Sequence, residues 1–393
     1  MFETLQPAAP DKILALIGMF RDDPRPNKVD LGVGVYKDPE GRTTVMRAVR
    51  GAEQRLYGEQ TSKAYLGLAG DPAFNAAMIR LTFGGDADTS RLRAAQTPGG
   101  SGALRLIAEL LHRSRPDATV WISDPTWPNH VPIIAAAGLK TATYPYFDAA
   151  TGGVRFDAML AALRGARRGD VVLLHGCCHN PTGANFHEGQ WNELADLLVE
   201  HGLFPFVDIA YQGFGDGLDA DAAGLRLLAG KVPELAAASS CSKNFSVYRD
   251  RVGAAMLLGS TPAEADVALS QILSVARSMY SMPPDHGAAA VRIILSDEAL
   301  RADWEAELDA IRDRMIRLRE GFAEALRRQS NSDRFDFVAH HRGMFSRLGL
   351  TVEQVRRLRD EHAVYMVDDS RINVAGLPED RLDDLAKAVV SVL

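Results

Sequence analysis

Cysteine is scarce in this 393-residue chain: Cys177, Cys178 and Cys241 are the only three, and two of them are adjacent. A disulfide framework is therefore excluded, and a reducing, cytoplasmic setting is the simplest expectation. No apolar run approaches the roughly 18 residues of a membrane span. The stretch from Met1 to Lys12 also lacks the basic-then-apolar order of a signal peptide. Nor is there an excess of positive charge. The 44 basic and 51 acidic residues leave a net charge of −7, which speaks against a nucleic-acid surface. The basic cluster Arg312–Arg319 is interleaved with Asp and Glu and reads as a solvated helix face. Internal repeats and low-complexity linkers are absent.

What remains is an ordinary globular balance, 46% apolar and 24% charged, in a chain long enough for one or two domains. Apolar runs at 119–123, 171–175, 203–209 and 252–258 alternate with helical patterns. Between two of them Trp191, Leu194, Leu197 and Leu198 recur at helical spacing until Gly202 stops the helix. Such alternation predicts an α/β fold whose mostly parallel sheet lies between helices. From Ser296 onward, Leu300, Trp304, Leu308, Ile311, Met315, Leu318, Phe322 and Leu326 step by three or four. They describe a helix of about 45 Å, long enough to leave one domain and enter another. Ser296 is its expected cap. The remainder, to Leu393, reads as a smaller α+β unit.

Four segments carry chemistry. In Ser240-Cys241-Ser242-Lys243-Asn244-Phe245, a lysine follows the apolar run 235–238. Desolvation there favours the neutral amine, which can form an imine with an aldehyde such as that of pyridoxal phosphate. Ser240, Ser242 and Arg251 offer donors to a phosphate. Alone the pattern is weak, because most lysines are surface lysines. Asp208 lies at the carboxyl end of the 203–209 run, where open α/β sheets place ligands. It either caps the following turn or keeps a pyridine nitrogen protonated, and Tyr211 stands three residues on to bond a phenolic oxygen. Thr97-Pro98-Gly99-Gly100-Ser101-Gly102 opens a helix with free N–H groups suited to phosphate, yet matches neither the dinucleotide nor the nucleoside-triphosphate fingerprint. Gly32-Val33-Gly34 matches neither as well. His175, Cys177, Cys178 and His179 invite a metal reading, but adjacent cysteines without a second ligand pair argue for no metal. Asn180, before Pro181, reads better as a polar ligand to a bound ring.

Together these segments resemble the class I aminotransferases, in the aspartate and aromatic-amino-acid subgroup. The resemblance runs from about Pro10 to the C-terminus through Leu31-Gly32-Val33-Gly34-Val35-Tyr36, Asp124-Pro125-Thr126-Trp127-Pro128-Asn129-His130, Cys177-Cys178-His179-Asn180-Pro181-Thr182-Gly183, Asp208-Ile209-Ala210-Tyr211-Gln212-Gly213-Phe214, the lysine segment and Ser370-Arg371-Ile372-Asn373-Val374-Ala375-Gly376. It implies a fold-type I pyridoxal-phosphate enzyme. Its expected divisions are an N-terminal arm with part of the small domain (1–44), a large cofactor-binding domain (45–310) and a C-terminal small domain (311–393). It implies that Lys243 carries the cofactor and shuttles a proton, that Trp127 stacks on the ring, and that His130 supports Asp208. Arg371 would clamp the substrate α-carboxylate beside Asn180 and Gly34. Arg277 would reach across a homodimer interface to a side-chain carboxylate, while Tyr65 and Ser281 would meet the partner's cofactor phosphate.

The implied activity is ping-pong transamination between amino acids and 2-oxo acids, with 2-oxoglutarate as acceptor. Met282 and Cys241 depart from the subgroup's usual residues, and Arg342-Gly343-Met344-Phe345-Ser346-Arg347-Leu348 is similar to the bacterial aromatic branch. Aromatic amino acids together with aspartate and glutamate are the expected substrates; a narrow aspartate aminotransferase is the alternative. A lyase or decarboxylase on the same fold, and a non-catalytic regulator, are the readings from other classes.

Overall fold

The computed structural model describes residues 1–7 and 12–393; Pro10, where the resemblance sets in, lies outside the described residues. Seven strands form the central sheet: β1 Leu92–Pro98, β2 Thr119–Asp124, β3 Lys140–Pro145, β4 Val171–His175, β5 Phe204–Ile209, β6 Leu235–Ser240 and β7 Val252–Leu258. Their order is β1-β7-β6-β5-β4-β2-β3, and only β7 runs against its neighbours. The continuous apolar runs reflect burial on both faces. In β4, Val172 and Leu174 join one core while Val171 and Leu173 join the other, as the two-residue period of a strand requires.

Helices cover both faces. Glu188–His201 ends where Gly202 adopts the left-handed conformation at φ 62°, the stop expected from the sequence. The long helix is Glu298–Ser330, 33 residues. Its cap is not Ser296, which closes the preceding helix His286–Ser296. Asp297 takes that role, its carboxylate accepting from Ala299 and Leu300 N–H at 3.0 Å. A carboxylate favours the positive end of the helix more than a hydroxyl does.

Trp304, Leu308 and Met315 of this helix belong to a core beside the sheet, whereas Leu318, Phe322 and Leu326 belong to a separate core. The second core also holds Val29, Leu31, Ile372 and Val389. Two short strand pairs flank it: Val29–Asp30 parallel to Val364–Tyr365, and Phe345–Arg347 antiparallel to Arg371–Asn373. Passage between two cores also corrects the expected solvated face. Arg314 and Arg319 are buried while Asp313, Arg317 and Glu320 stay exposed. The alternating charges therefore mix one solvent face with one face enclosed by protein.

Candidate active site

Topology gathers the chemistry. The strands β1, β2, β4, β5 and β6 share one direction, so their carboxyl ends lie on one sheet edge, and β7 begins there because it runs the other way. The residues just past those ends are Gly99, Trp127, Asn180 and Lys243, with Asp208 among the last two residues of β5 and Arg251 just before β7. A cavity of about 300 Å³ opens at this edge. Gly34, Gly100, Ser101, Trp127, Asn180, Asp208, Tyr211, Ser240, Ser242, Lys243, Arg251 and Arg371 all line it.

Lys243 is half-buried with its Nζ 4.7 Å above the Tyr211 ring. Burial pulls its pKa down to about 8; the nearby Arg251 charge acts in the same sense, and Asp208 opposes both. The loop is anchored from behind by Trp304, whose indole N–H donates to the Asn244 carbonyl at 2.7 Å while its ring stacks on Phe245. Asp208 is buried, and burial pushes its carboxyl upward. The hydrogen bond from His130 Nε2 at 2.9 Å, with the charges of His130 and Lys243, outweighs that and holds it below the usual carboxylate range. Thr126 Oγ1 bridges His130 and His175 at 2.7 and 3.2 Å. His175 is pulled to about 3 by burial first and His130 second, so it is neutral.

Tyr211 is raised by burial, and its hydroxyl accepts from Asn180 Nδ2 at 3.3 Å. The Asn180 Oδ1 is buried with no partner among the described residues. Arg371 is 4% exposed, yet among the described residues it has no carboxylate partner within 4 Å. Its guanidinium lies 4.4 Å over the Phe345 ring and donates to the Gly32 carbonyl at 2.7 Å. Burial lowers its proton affinity.

The opposite end of the cavity is an anion cradle. The helix Gly99–Ser114 begins there without a side-chain cap, leaving its first N–H groups free. Gly99 sits at φ +72°, and a Cβ on it would stand 2.4 Å from Arg251 Nη2. Arg251 Nη1 reaches Ser242 Oγ at 3.4 Å, and it too has no carboxylate partner among the described residues.

Tyr65 (92% exposed) and Arg277 lie on the surface outside this cavity, where Arg277 Nη1 donates to Ser281 Oγ at 2.6 Å. Sequence reasoning gave no role to Tyr248, Phe345, Ile13 or Leu104, which also line the cavity. Tyr248 follows Lys243 by five residues, but no motif in the sequence marked it. Of the four residues His175, Cys177, Cys178 and His179, for which the sequence argues against a metal, His179 is engaged by Ser123 and Thr182 at 3.0 and 2.9 Å. Cys177 and Cys178 instead lie within 4.8 Å of Asp221. That carboxylate already accepts three backbone N–H bonds, from Gly213, Gly215 and Asp216, and serves as a turn anchor.

Residues 26–389 match the family Aminotransferase class I and II. The chain is 53% identical to the aromatic-amino-acid aminotransferase of Paracoccus denitrificans and 48% identical to the aspartate aminotransferase of Escherichia coli, in both cases over 100% of each chain. A solved aromatic amino acid aminotransferase with 3-indolebutyric acid superposes over 100% of both chains at a TM-score of 0.98 and 53% identity. The Burkholderia pseudomallei aromatic-amino-acid aminotransferase, covalently bound to pyridoxal phosphate, superposes at 0.98 with 43% identity over 100% of this chain and 99% of that one. With these relatives, a sheet of this topology and a site of this composition, the chain belongs to the class I and II aminotransferases and is a fold-type I enzyme dependent on pyridoxal phosphate.

Proposed function

We propose that the chain transfers amino groups from aromatic amino acids, and from aspartate and glutamate, to 2-oxoglutarate. The observation that carries this reading is Arg371, a buried guanidinium without a carboxylate partner among the described residues, which opens on the same cavity as a lysine held near pKa 8. A buried charge left uncompensated is costly, and an α-carboxylate would complete it.

The residues present fit the cofactor. Asn180 Oδ1 is a buried acceptor without a partner among the described residues, and the space beside Gly99 is one that a Cβ would fill. Hydroxyls, free N–H groups and a guanidinium suit a phosphate, and a carboxylate suits a pyridinium. Lys243 would hold the aldehyde carbon through its amine, Asp208 the ring nitrogen, and Tyr211 with Asn180 the phenolic oxygen. Trp127 would cover a ring face; Ser240, Ser242, Arg251 and the turn Gly99-Gly100-Ser101 would hold the phosphate. When bound, the cofactor supplies an electron sink for the pair left on the substrate α-carbon. The neutral Lys243 amine then takes and returns the α-proton at Nζ, near the pH at which a base of pKa about 8 works best. Asp208, ionised and fixed by His130, keeps a proton on whatever nitrogen faces it.

Names of relatives support both substrate classes. Arg277 favours dicarboxylates, since a bidentate charged pair discriminates against neutral side chains. Tyr65 and Arg277, exposed, and Ser281, half-buried, lie away from this chain's cavity and suit a homodimer in which each subunit completes the other's site. The test is turnover of phenylalanine, tyrosine and aspartate with 2-oxoglutarate as acceptor. All three should react, and Arg277→Ala should weaken aspartate turnover far more than phenylalanine turnover. Aspartate turnover alone would replace this reading with the narrow aspartate aminotransferase.

A further inference from the structure

Arg319 is 1% exposed and has no carboxylate partner among the described residues. Its donors instead converge on one stretch of chain. Nη1 donates to the Val338 carbonyl at 3.2 Å and Ser346 Oγ at 2.7 Å; Nη2 donates to the carbonyls of Gly343 and Phe345, each at 2.7 Å. Ser346 Oγ also meets His341 Nδ1 at 3.1 Å, and His341 Nε2 donates to the Gly152 carbonyl at 2.8 Å. Burial pulls His341 to about 3, so this ring is neutral and adds no charge beside Arg319.

The stretch so held is one wall of the site. The Phe345 ring carries the Arg371 guanidinium at 4.4 Å, meets the Tyr211 ring edge-on at 6.1 Å, and lies 3.0 Å from where a Cβ on Gly34 would sit. The strand Phe345–Arg347 pairs in register with Arg371–Asn373, so Arg371 stands opposite Arg347. Moving the Phe345 backbone therefore moves both the surface on which Arg371 rests and the strand from which it projects. Burying a guanidinium without a counter-charge is expensive, and an apolar side chain would fill the space at less cost. The four bonds are what an apolar residue could not supply.

We infer that Arg319 is a positioning residue for carboxylate binding: from the long helix it fixes the Gly343–Ser346 backbone, and through Phe345 it sets the placement of Arg371. The inference rests on Arg371 being the carboxylate anchor. Burial brings the Arg319 pKa down only to about 9, so the group stays charged at neutral pH and the four bonds from Nη1 and Nη2 remain in place.

The test uses the holoenzyme and 3-phenylpropionate, a carboxylate with no amino group to react, with its Kd read by calorimetry. Arg319→Met should bind it roughly tenfold or more weakly, because small displacements of a positioning group are enough to do so. Arg319→Lys, which keeps the charge but not the fork, should lose affinity in the same direction. In both, KM for amino donors should rise more than kcat falls, and cofactor retention should stay at the parent's level. If Arg319→Met does not fold, Arg319→Lys and Ser346→Ala decide. Parent-like Kd in the folded variants, with only a lower Tm, overturns the inference. Arg371→Leu separates the two claims: unchanged affinity there defeats the anchor itself, whereas loss there with parent-like Arg319 variants defeats only the positioning role.

Discussion

Replacing Lys243 by methionine should make the apoprotein more stable at neutral pH, although it removes the reactive amine. Burial lowers this lysine from its ordinary 10.5 to about 8. At about 1.4 kcal/mol for each tenfold change in proton affinity, the folded state is penalised by about 3 kcal/mol for the ammonium form. The ammonium lies 4.7 Å over Tyr211, which returns about 1 kcal/mol. The net expectation is a methionine variant about 2 kcal/mol more stable at pH 7. The pH dependence fixes the sign. Below pH 8 both folded and unfolded lysine are charged, and the full penalty stands. Between about 8 and 10.5 the unfolded chain binds more protons, so the parent gains stability as pH rises; above 10.5 the penalty is gone. Urea unfolding of both apoproteins at pH 7 and 9.5, compared at equal m, measures the gap. It should largely close at pH 9.5. A gap independent of pH, or a variant less stable at pH 7, would refute the reasoning.

Arg371→Leu should raise KM for amino donors by about 30-fold or more, the loss expected on truncating one partner of a buried charged pair, and steady-state kinetics with a parent-like KM would contradict it. Asp208→Asn removes the charge that supports protonation of Lys243, so the amine should titrate below about 8 in pH-dependent amine labelling, and turnover should fall about 10²-fold or more. Gly99→Ala places a methyl group 2.4 Å from Arg251 Nη2 at a backbone φ of +72°, and dialysis should strip cofactor from it at least about tenfold faster than from the parent.

The strands and their edge were legible because their chemistry is local. Unbroken apolar runs such as Val171–His175 mean burial on both faces, and Asp208 and Lys243 sit where such runs end. Arg319 was not legible. Its neighbours Asp313, Arg317 and Glu320 face solvent, and nothing local distinguishes a helix face that turns toward a second core. Phe345 and Tyr248 are placed in the cavity by packing between distant segments, which residue spacing does not encode. The helix cap was missed by one residue because Ser296 and Asp297 are both good caps, and only the backbone chooses between them.

Most direct is reduction of the holoenzyme with borohydride, followed by digestion and peptide mass spectrometry. The chain has eight lysines. The pyridoxyl group should be recovered on Lys243 alone; recovery on any other lysine, or on none, would contradict the assignment of this amine as the cofactor's anchor.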